Sequence, residues 1–215
     1  MAVLTISRQF GAGGWTLSKA VAERLNYQFV SSAVINKMAK EANVSPEWIK
    51  GVEKHAGDWL MRFTSKYIYS KHFIERHIGE SRSDFDEDKY IIFLQNIIAR
   101  IAKEDNVVFL GRGSQFILQK DPNVIHVLIV ADMEDRIKFI EKIWNISSKE
   151  AEKSIQTREK RRDAFLKYFK QGQPNSLGLY HMIVNTSKMS MAEAEDLIVW
   201  LMKDFDKRKK EENRD

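Results

Sequence analysis

The first 25 residues constrain the fold most, because three different local patterns follow one another there. Residues 2–6 are short, apolar and partly β-branched, as in a buried strand. Three glycines then occur within four positions, at Gly11, Gly13 and Gly14. From Thr16 to Leu25, apolar residues recur at helical spacing. The pattern predicts a strand, a tight turn and a helix in that order.

This strand, glycine turn and helix have the geometry of a phosphate-binding loop. Glycines let the backbone approach an anion closely, and unpaired N–H groups at the start of the helix point toward it. A turn that needs glycine only for tightness is the alternative, and three glycines directly before a helix argue against it. We therefore predict that the phosphate lies against Gly11, Ala12, Gly13, Gly14, Trp15 and Thr16.

The loop departs from the common motif G-x-x-x-x-G-K-[ST]. Setting the last glycine of the motif on Gly14 puts Trp15 in the lysine position. Thr16 then takes the Ser/Thr position and is predicted to contact a magnesium ion. An indole cannot neutralise a phosphate, so the positive charge must come from elsewhere. Arg8 and Lys19 are the two candidates close to the loop.

The composition narrows the classes of function. A chain of 215 residues that is 43% hydrophobic suffices for one packed domain with a helical insertion. It contains no cysteine, which excludes disulfides and thiolate metal sites. The net charge of +5 suits an anionic small ligand as well as a weak nucleic-acid patch. Without a signal-peptide pattern or an apolar run of membrane-spanning length, we expect a cytoplasmic protein.

Strand and helix patterns alternate along the rest of the chain. Further strands are predicted at 27–30, 106–110, 124–130 and 180–184, and helices at 32–41, 89–103, 131–144, 147–169 and 191–205. This order predicts an α/β fold with a five-stranded parallel sheet. Helical patterns over residues 45–103 interrupt the alternation and predict an inserted subdomain. The charged tail, residues 206–215, is predicted to fray.

Basic residues occur where such a fold binds ligands. Arg112 lies between two glycines just after the third strand, at the edge where open α/β sheets bind ligands. Residues 158–162 form a basic run interrupted by one acid. A solvated helix surface explains such a run equally well. Phosphoryl transfer requires positioned positive charge more than covalent chemistry, which favours a role for these residues at a phosphate.

Together these segments resemble the cytidylate kinase-like family of P-loop nucleoside monophosphate kinases. The resemblance covers nearly the whole chain and is carried by residues 6–14, 108–113, 159–165 and 180–186, with Gln95 and Arg136 also in place. It implies a P-loop kinase-like three-layer sandwich over residues 1–215, with an acceptor-side helical insertion at about 45–103 and a lid at about 158–176. It also implies ATP and Mg2+ as donor and cofactor, and a CMP-like nucleotide or other small acceptor.

The resemblance implies roles for individual residues as well. The arginines implied to be catalytic are Arg112, Arg158 and Arg162. Residues 11–16 are implied to bind the nucleotide, together with Arg8, Arg136 and Arg161. Two positions depart from the family pattern: Trp15 stands where a basic residue is expected, and Ser31 where an acidic one is usual.

Three functions remain open at this point. The first is an active small-molecule kinase, and the second is a nucleotide-binding regulatory or interaction protein of the same fold, which Trp15 favours. The third is a nucleic-acid binder, and the absence of aromatics interleaved as in RNA-binding motifs argues against it. Aromatic residues expected on the surface leave room for a homodimer: Trp48, Trp59 and Trp200.

Overall fold

The computed structural model describes residues 2–31, 34–35, 87–169 and 177–212. The chain divides into two compact units, one formed by Met1–Val30 with Ile98–Asp215 and the other by Ser31–Ile97. Most of the second unit, including Trp48 and Trp59, lies outside the described residues, as does the end of the expected lid at 170–176. The helical insertion at 45–103 and the lid boundaries therefore stay predictions.

One parallel sheet of five strands organises the described chain. In chain order the elements are β1 (Val3–Arg8), α1 (Gly14–Leu25), β2 (Gln28–Val30), α2 (Glu87–Ala102), β3 (Val107–Leu110), α3 (Ser114–Ile117), β4 (Val124–Val130), α4 (Met133–Trp144), α5 (Ser148–Lys167), a 3-10 turn (Leu177–Leu179), β5 (Met182–Asn185) and α6 (Met191–Glu212). The strand order is β2-β3-β1-β4-β5, with every pair parallel. The predicted α/β class with a five-stranded parallel sheet is confirmed.

The central strands are buried along almost their whole length, as expected when both faces of a parallel sheet are covered. Five of the six residues of β1 and six of the seven of β4 are buried. Leu4 and Ile6 of β1 pack in one core cluster with Leu17 of α1 and Ile198 of α6. The register pairs Ile6 with Leu110, so the ends of β1 and β3 lie side by side. The sheet thus brings the residues after Ile6 next to Gly111.

Side-chain interactions set the end of the last helix differently from the sequence prediction. The charged tail was expected to fray from residue 206, but α6 continues to Glu212. Its last turns contain two i,i+4 ion pairs, Arg208 with Asp204 at 2.9 Å and Lys207 with Glu211 at 3.9 Å, and such pairs stabilise helix ends.

Two surface properties bear on partners. Within the described residues no helix is both long and apolar enough to cross a bilayer. Trp200 on α6 is 60% exposed, and the homodimer to which it pointed stays a prediction.

Candidate functional site

The loop between β1 and α1, residues 9–13, turns the chain with two left-handed glycines. Gly11 has a φ of 89° and Gly13 a φ of 73°, a region that glycine adopts without strain. Gly13 is the N-cap of α1, and within the described residues no side chain caps this helix. The N–H groups of the first turn therefore lack intrahelical partners and present a binding surface for an anion.

Hydrogen bonds to the ends of neighbouring strands fix the conformation of this loop. The Gln9 N–H donates to Ile129 O at 2.9 Å, and Gln9 Oε1 accepts from the Ala131 N–H at 3.0 Å. Thr186 Oγ1 lies 3.2 Å from Ala12 O. These contacts tie the loop to the ends of β4 and β5. The directions of its N–H groups are thus set by the fold, which favours binding of an anion without further ordering.

The left-handed glycine directly before the helix is Gly13, one position before Gly14, on which the last glycine of the motif was set from the sequence. Gly14 is already the first residue of α1 and has no positive φ. The glycine that turns the chain into the helix is the one that requires a positive φ, so Gly13 takes the last glycine position of the motif. This corrects the alignment by one residue. The lysine position falls on Gly14 and the Ser/Thr position on Trp15, while Arg8 occupies the first glycine position.

Arg8, the last residue of β1, directs its guanidinium toward other basic side chains. An ideal Cβ on Gly111 would lie 1.9 Å from Arg8 Nη1, so the guanidinium lies against that glycine. The pKa of Arg8 is lowered to about 10, mainly by burial and next by the positive charges of Arg162 and Arg112, with Glu159 opposing. Arg8 still carries its charge at neutral pH. A bound anion would offset the repulsion within this group.

Arg136 of α4 connects the loop to α5. Its Nε donates to Phe10 O at 2.7 Å and its Nη2 to Glu159 Oε1 at 2.8 Å. The same carboxylate oxygen accepts the Phe10 N–H at 2.5 Å. Arg136 is buried, which lowers its pKa, while Glu159 raises it and Arg162 lowers it. The side chain contacts protein groups, and its role in nucleotide binding stays a prediction.

Two further arginines lie on aromatic rings. The Arg158 guanidinium carbon is 4.7 Å from the Phe10 ring centre and 4.9 Å from that of Trp144. The Arg112 guanidinium carbon is 5.6 Å from the Phe165 ring centre. Arg112 Nε is buried and has no hydrogen-bond partner among the described residues. A buried donor without a partner costs free energy, which indicates a ligand acceptor at this position.

Trp15 and Lys19, which were also predicted to act near the phosphate, lie on the outer surface of α1. Trp15 is 57% exposed and meets Phe29 edge-on, with ring centroids 6.2 Å apart. Lys19 Nζ lies 5.6 Å from the Trp15 ring centre and 3.5 Å from Glu23 Oε1. Arg8, not Lys19, is therefore the cation that joins the arginine group.

The predicted magnesium contact has no acidic cluster to support it. Thr16 is exposed in the first turn of α1. Within the described part of the chain, no three His, Cys, Asp or Glu side chains are grouped so that they could hold a metal ion. The Thr16 contact stays a prediction.

The structure brings four of the predicted arginines close enough to influence one another: Arg8, Arg112, Arg136 and Arg162. Arg161 is exposed on α5. Sequence reasoning missed the role of Glu159. A single acid inside a basic run was the available signal. It also missed Phe169, whose ring would lie 2.8 Å from a Cβ on Gly113 and so packs against the Gly-Arg-Gly turn.

Comparison with known proteins identifies relatives at two levels. Residues 3–188 match the family model described as the cytidylate kinase-like family. Among solved structures, an uncharacterized protein from Eubacterium ventriosum ATCC 27560 superposes with a TM-score of 0.68 at 18% identity, covering 94% of this chain and 99% of the other. A shikimate kinase from Bacteroides thetaiotaomicron superposes with a TM-score of 0.50 at 12% identity, covering 94% and 98%. At these identities the structures show a shared fold. No curated protein matches the sequence.

Proposed function

Because the chain belongs to the cytidylate kinase-like family, we propose that it transfers a phosphoryl group from ATP, with Mg2+, to a small acceptor such as a CMP-like nucleotide. The observation that carries the proposal is the uncapped start of α1 beside the arginine group of Arg8, Arg112 and Arg162. Backbone N–H groups and guanidinium groups are what a transferring phosphoryl group requires.

The residues of the site fit a nucleoside triphosphate. The N–H groups of Gly13, Gly14 and the next residues would donate hydrogen bonds to the phosphate oxygens, as helix N-termini do. Arg112 and Arg162 would balance the charge that spreads over the transferring group. The buried Arg112 Nε, without a partner among the described residues, would donate to a phosphate oxygen. Arg158, already stacked on Phe10, would approach from α5.

The site also fits Mg2+ held mainly by the substrate. Magnesium keeps several waters and binds through substrate phosphates with one or two protein oxygens, so a cluster of acids is not required. Trp15 holds the Ser/Thr position of the corrected alignment and has no hydroxyl, so we assign to Mg2+ the hydroxyl of the next residue, Thr16, which is exposed in the first turn of α1. Bound Mg2+ would neutralise part of the phosphate charge.

A second candidate function is that of a nucleotide-binding protein without turnover. The observation that favours it is the absence of a basic side chain at Gly14 and Trp15, the first two residues of α1. Such a protein would bind ATP in the same loop and would act through a conformational change or a partner.

The test is a phosphotransfer screen with ATP and Mg2+ over AMP, CMP, GMP and UMP, read as ADP formation, beside calorimetric titration of ATP. Arg112→Ala is the site variant, and Arg208→Ala on the surface of α6 is the matched control. Turnover that is lost only in Arg112→Ala supports the kinase. Binding without turnover supports the second function, and the absence of both refutes the two together.

A further inference from the structure

Position 14 requires glycine because of the space beside it, not because of its backbone conformation. It is the first residue of α1 and has no positive φ, so its conformation suits any residue. Glycine is also among the weakest helix formers. An ideal Cβ at this position would lie 2.7 Å from both Cβ and Cγ of Arg8. The side chain of Arg8 therefore fills the space in which a side chain at Gly14 would begin.

The guanidinium end of the Arg8 side chain lies against a second glycine, Gly111. A Cβ on Gly111 would lie 1.9 Å from Arg8 Nη1. The side chain thus passes over Gly14 and ends against Gly111, where the absence of a Cβ leaves room for the guanidinium. Among the described residues none accepts a hydrogen bond from its guanidinium. Within this part of the chain, the donors of Arg8 are thus available to an anion beside the loop.

We propose that Arg8 and Gly14 have exchanged the two roles that a P-loop assigns to these positions. In the motif G-x-x-x-x-G-K-[ST] with Gly13 as the last glycine, a glycine belongs at position 8 and a lysine at position 14. Here the cation comes from the end of β1, and the glycine at the start of α1 makes room for it. Arg8 binds the terminal phosphates in place of the lysine. This inference rests on the proposed use of the loop for a triphosphate.

The exchange makes a coupled prediction. Gly14→Ala removes no charge, yet it displaces the Arg8 stem and weakens phosphate binding. Gly14→Lys alone fails for the same reason. With Arg8→Gly in the same chain, the space is open and the lysine restores the ordinary arrangement. Two variants that are each impaired should therefore combine into one that binds.

The experiment titrates the full chain with inorganic tripolyphosphate and with ATP and Mg2+ by calorimetry, after thermal unfolding has shown that each variant is folded. Arg8→Ala should weaken tripolyphosphate binding about 10- to 150-fold, as for the loss of a charge-assisted hydrogen bond. The double variant R8G/G14K should bind within about tenfold of the wild type. Lys19→Ala, the other cation near the loop, is the matched control and should bind as the wild type does.

Three results would overturn the exchange: unchanged binding in Arg8→Ala, a double variant no better than Arg8→Gly alone, or a loss in Lys19→Ala instead. A wild type that binds neither probe overturns both the exchange and the proposed function. Tripolyphosphate binding that depends on Arg8, with no phosphotransfer to any acceptor, supports the exchange and counts against the kinase.

Discussion

The contact most open to a quantitative test is the one that Glu159 makes with the phosphate loop. One of its carboxylate oxygens accepts both the Phe10 N–H at 2.5 Å and Arg136 Nη2 at 2.8 Å. Glu159→Ala would leave the Arg136 guanidinium buried with Phe10 O as its remaining partner among the contacts described above. We expect the variant to be less stable and α5 to separate from the loop.

The burial of the two partners sets the size of the effect. Removing one partner of a fully buried ion pair costs about 3–5 kcal/mol. The Arg136 side chain is only 6% exposed, but that of Glu159 is 22% exposed, so water partly screens the pair. We therefore expect a loss of about 2–3 kcal/mol in the free energy of unfolding. For a chain of this length that lowers the Tm by about 4–12 °C.

Urea unfolding followed by circular dichroism measures the loss, with Glu152→Ala as the matched control. Glu152 lies on the same helix two turns earlier, is exposed, and among the described residues accepts a hydrogen bond from Gln156 alone, at 3.1 Å. Glu159→Gln should recover part of the stability, because an amide oxygen still accepts the Phe10 N–H. If Glu159→Ala unfolds at the same urea concentration as Glu152→Ala, the reasoning from burial and pairing is refuted.

Three further results are expected. Arg112→Ala should weaken ATP binding by about 1.5–3 kcal/mol without changing the Tm, and unchanged calorimetric affinity would show that Arg112 does not contact the nucleotide. Residues 158–169 should exchange their amide hydrogens more slowly with an ATP analogue bound, and equal exchange in both states would count against a lid. His126 is buried with a pKa lowered to about 4, mainly by burial and next by His181. The unfolded chain binds a proton at this imidazole more readily than the folded chain does. The free energy of unfolding should therefore fall by up to about 3 kcal/mol as the pH drops from about 6.5 to about 4. Urea titrations in which the free energy of unfolding of His126→Asn falls with pH as steeply as that of the wild type would contradict this.

Much of the fold follows from local patterns in the sequence. Mostly apolar stretches at 2–6, 106–110 and 124–130 indicated buried strands because parallel strands covered on both faces need no polar alternation. Glycines before a helix indicated an anion-binding loop because the requirement for a positive φ is local. These features depend on neighbours in the chain, so the sequence by itself determined them.

The placement of each cation was decided by tertiary structure. Arg8 and Lys19 were equal candidates in sequence, and only the packing of β1 beside β3 brings Arg8 against Gly111. The pairing of Glu159 with Phe10 joins residues 149 positions apart. Long basic side chains reach many partners, and the partner they meet depends on which elements cross nearby.

The register of the loop shows the same division. The sequence alone predicted that a glycine turn precedes a helix, but it began the helical pattern at Thr16, whereas α1 begins at Gly14. The backbone of Gly13 and the side chain of Arg8 decide that start together, since one takes the left-handed conformation and the other fills the space beside Gly14. A sequence records which residues are small, and only the folded chain shows what occupies the space they leave.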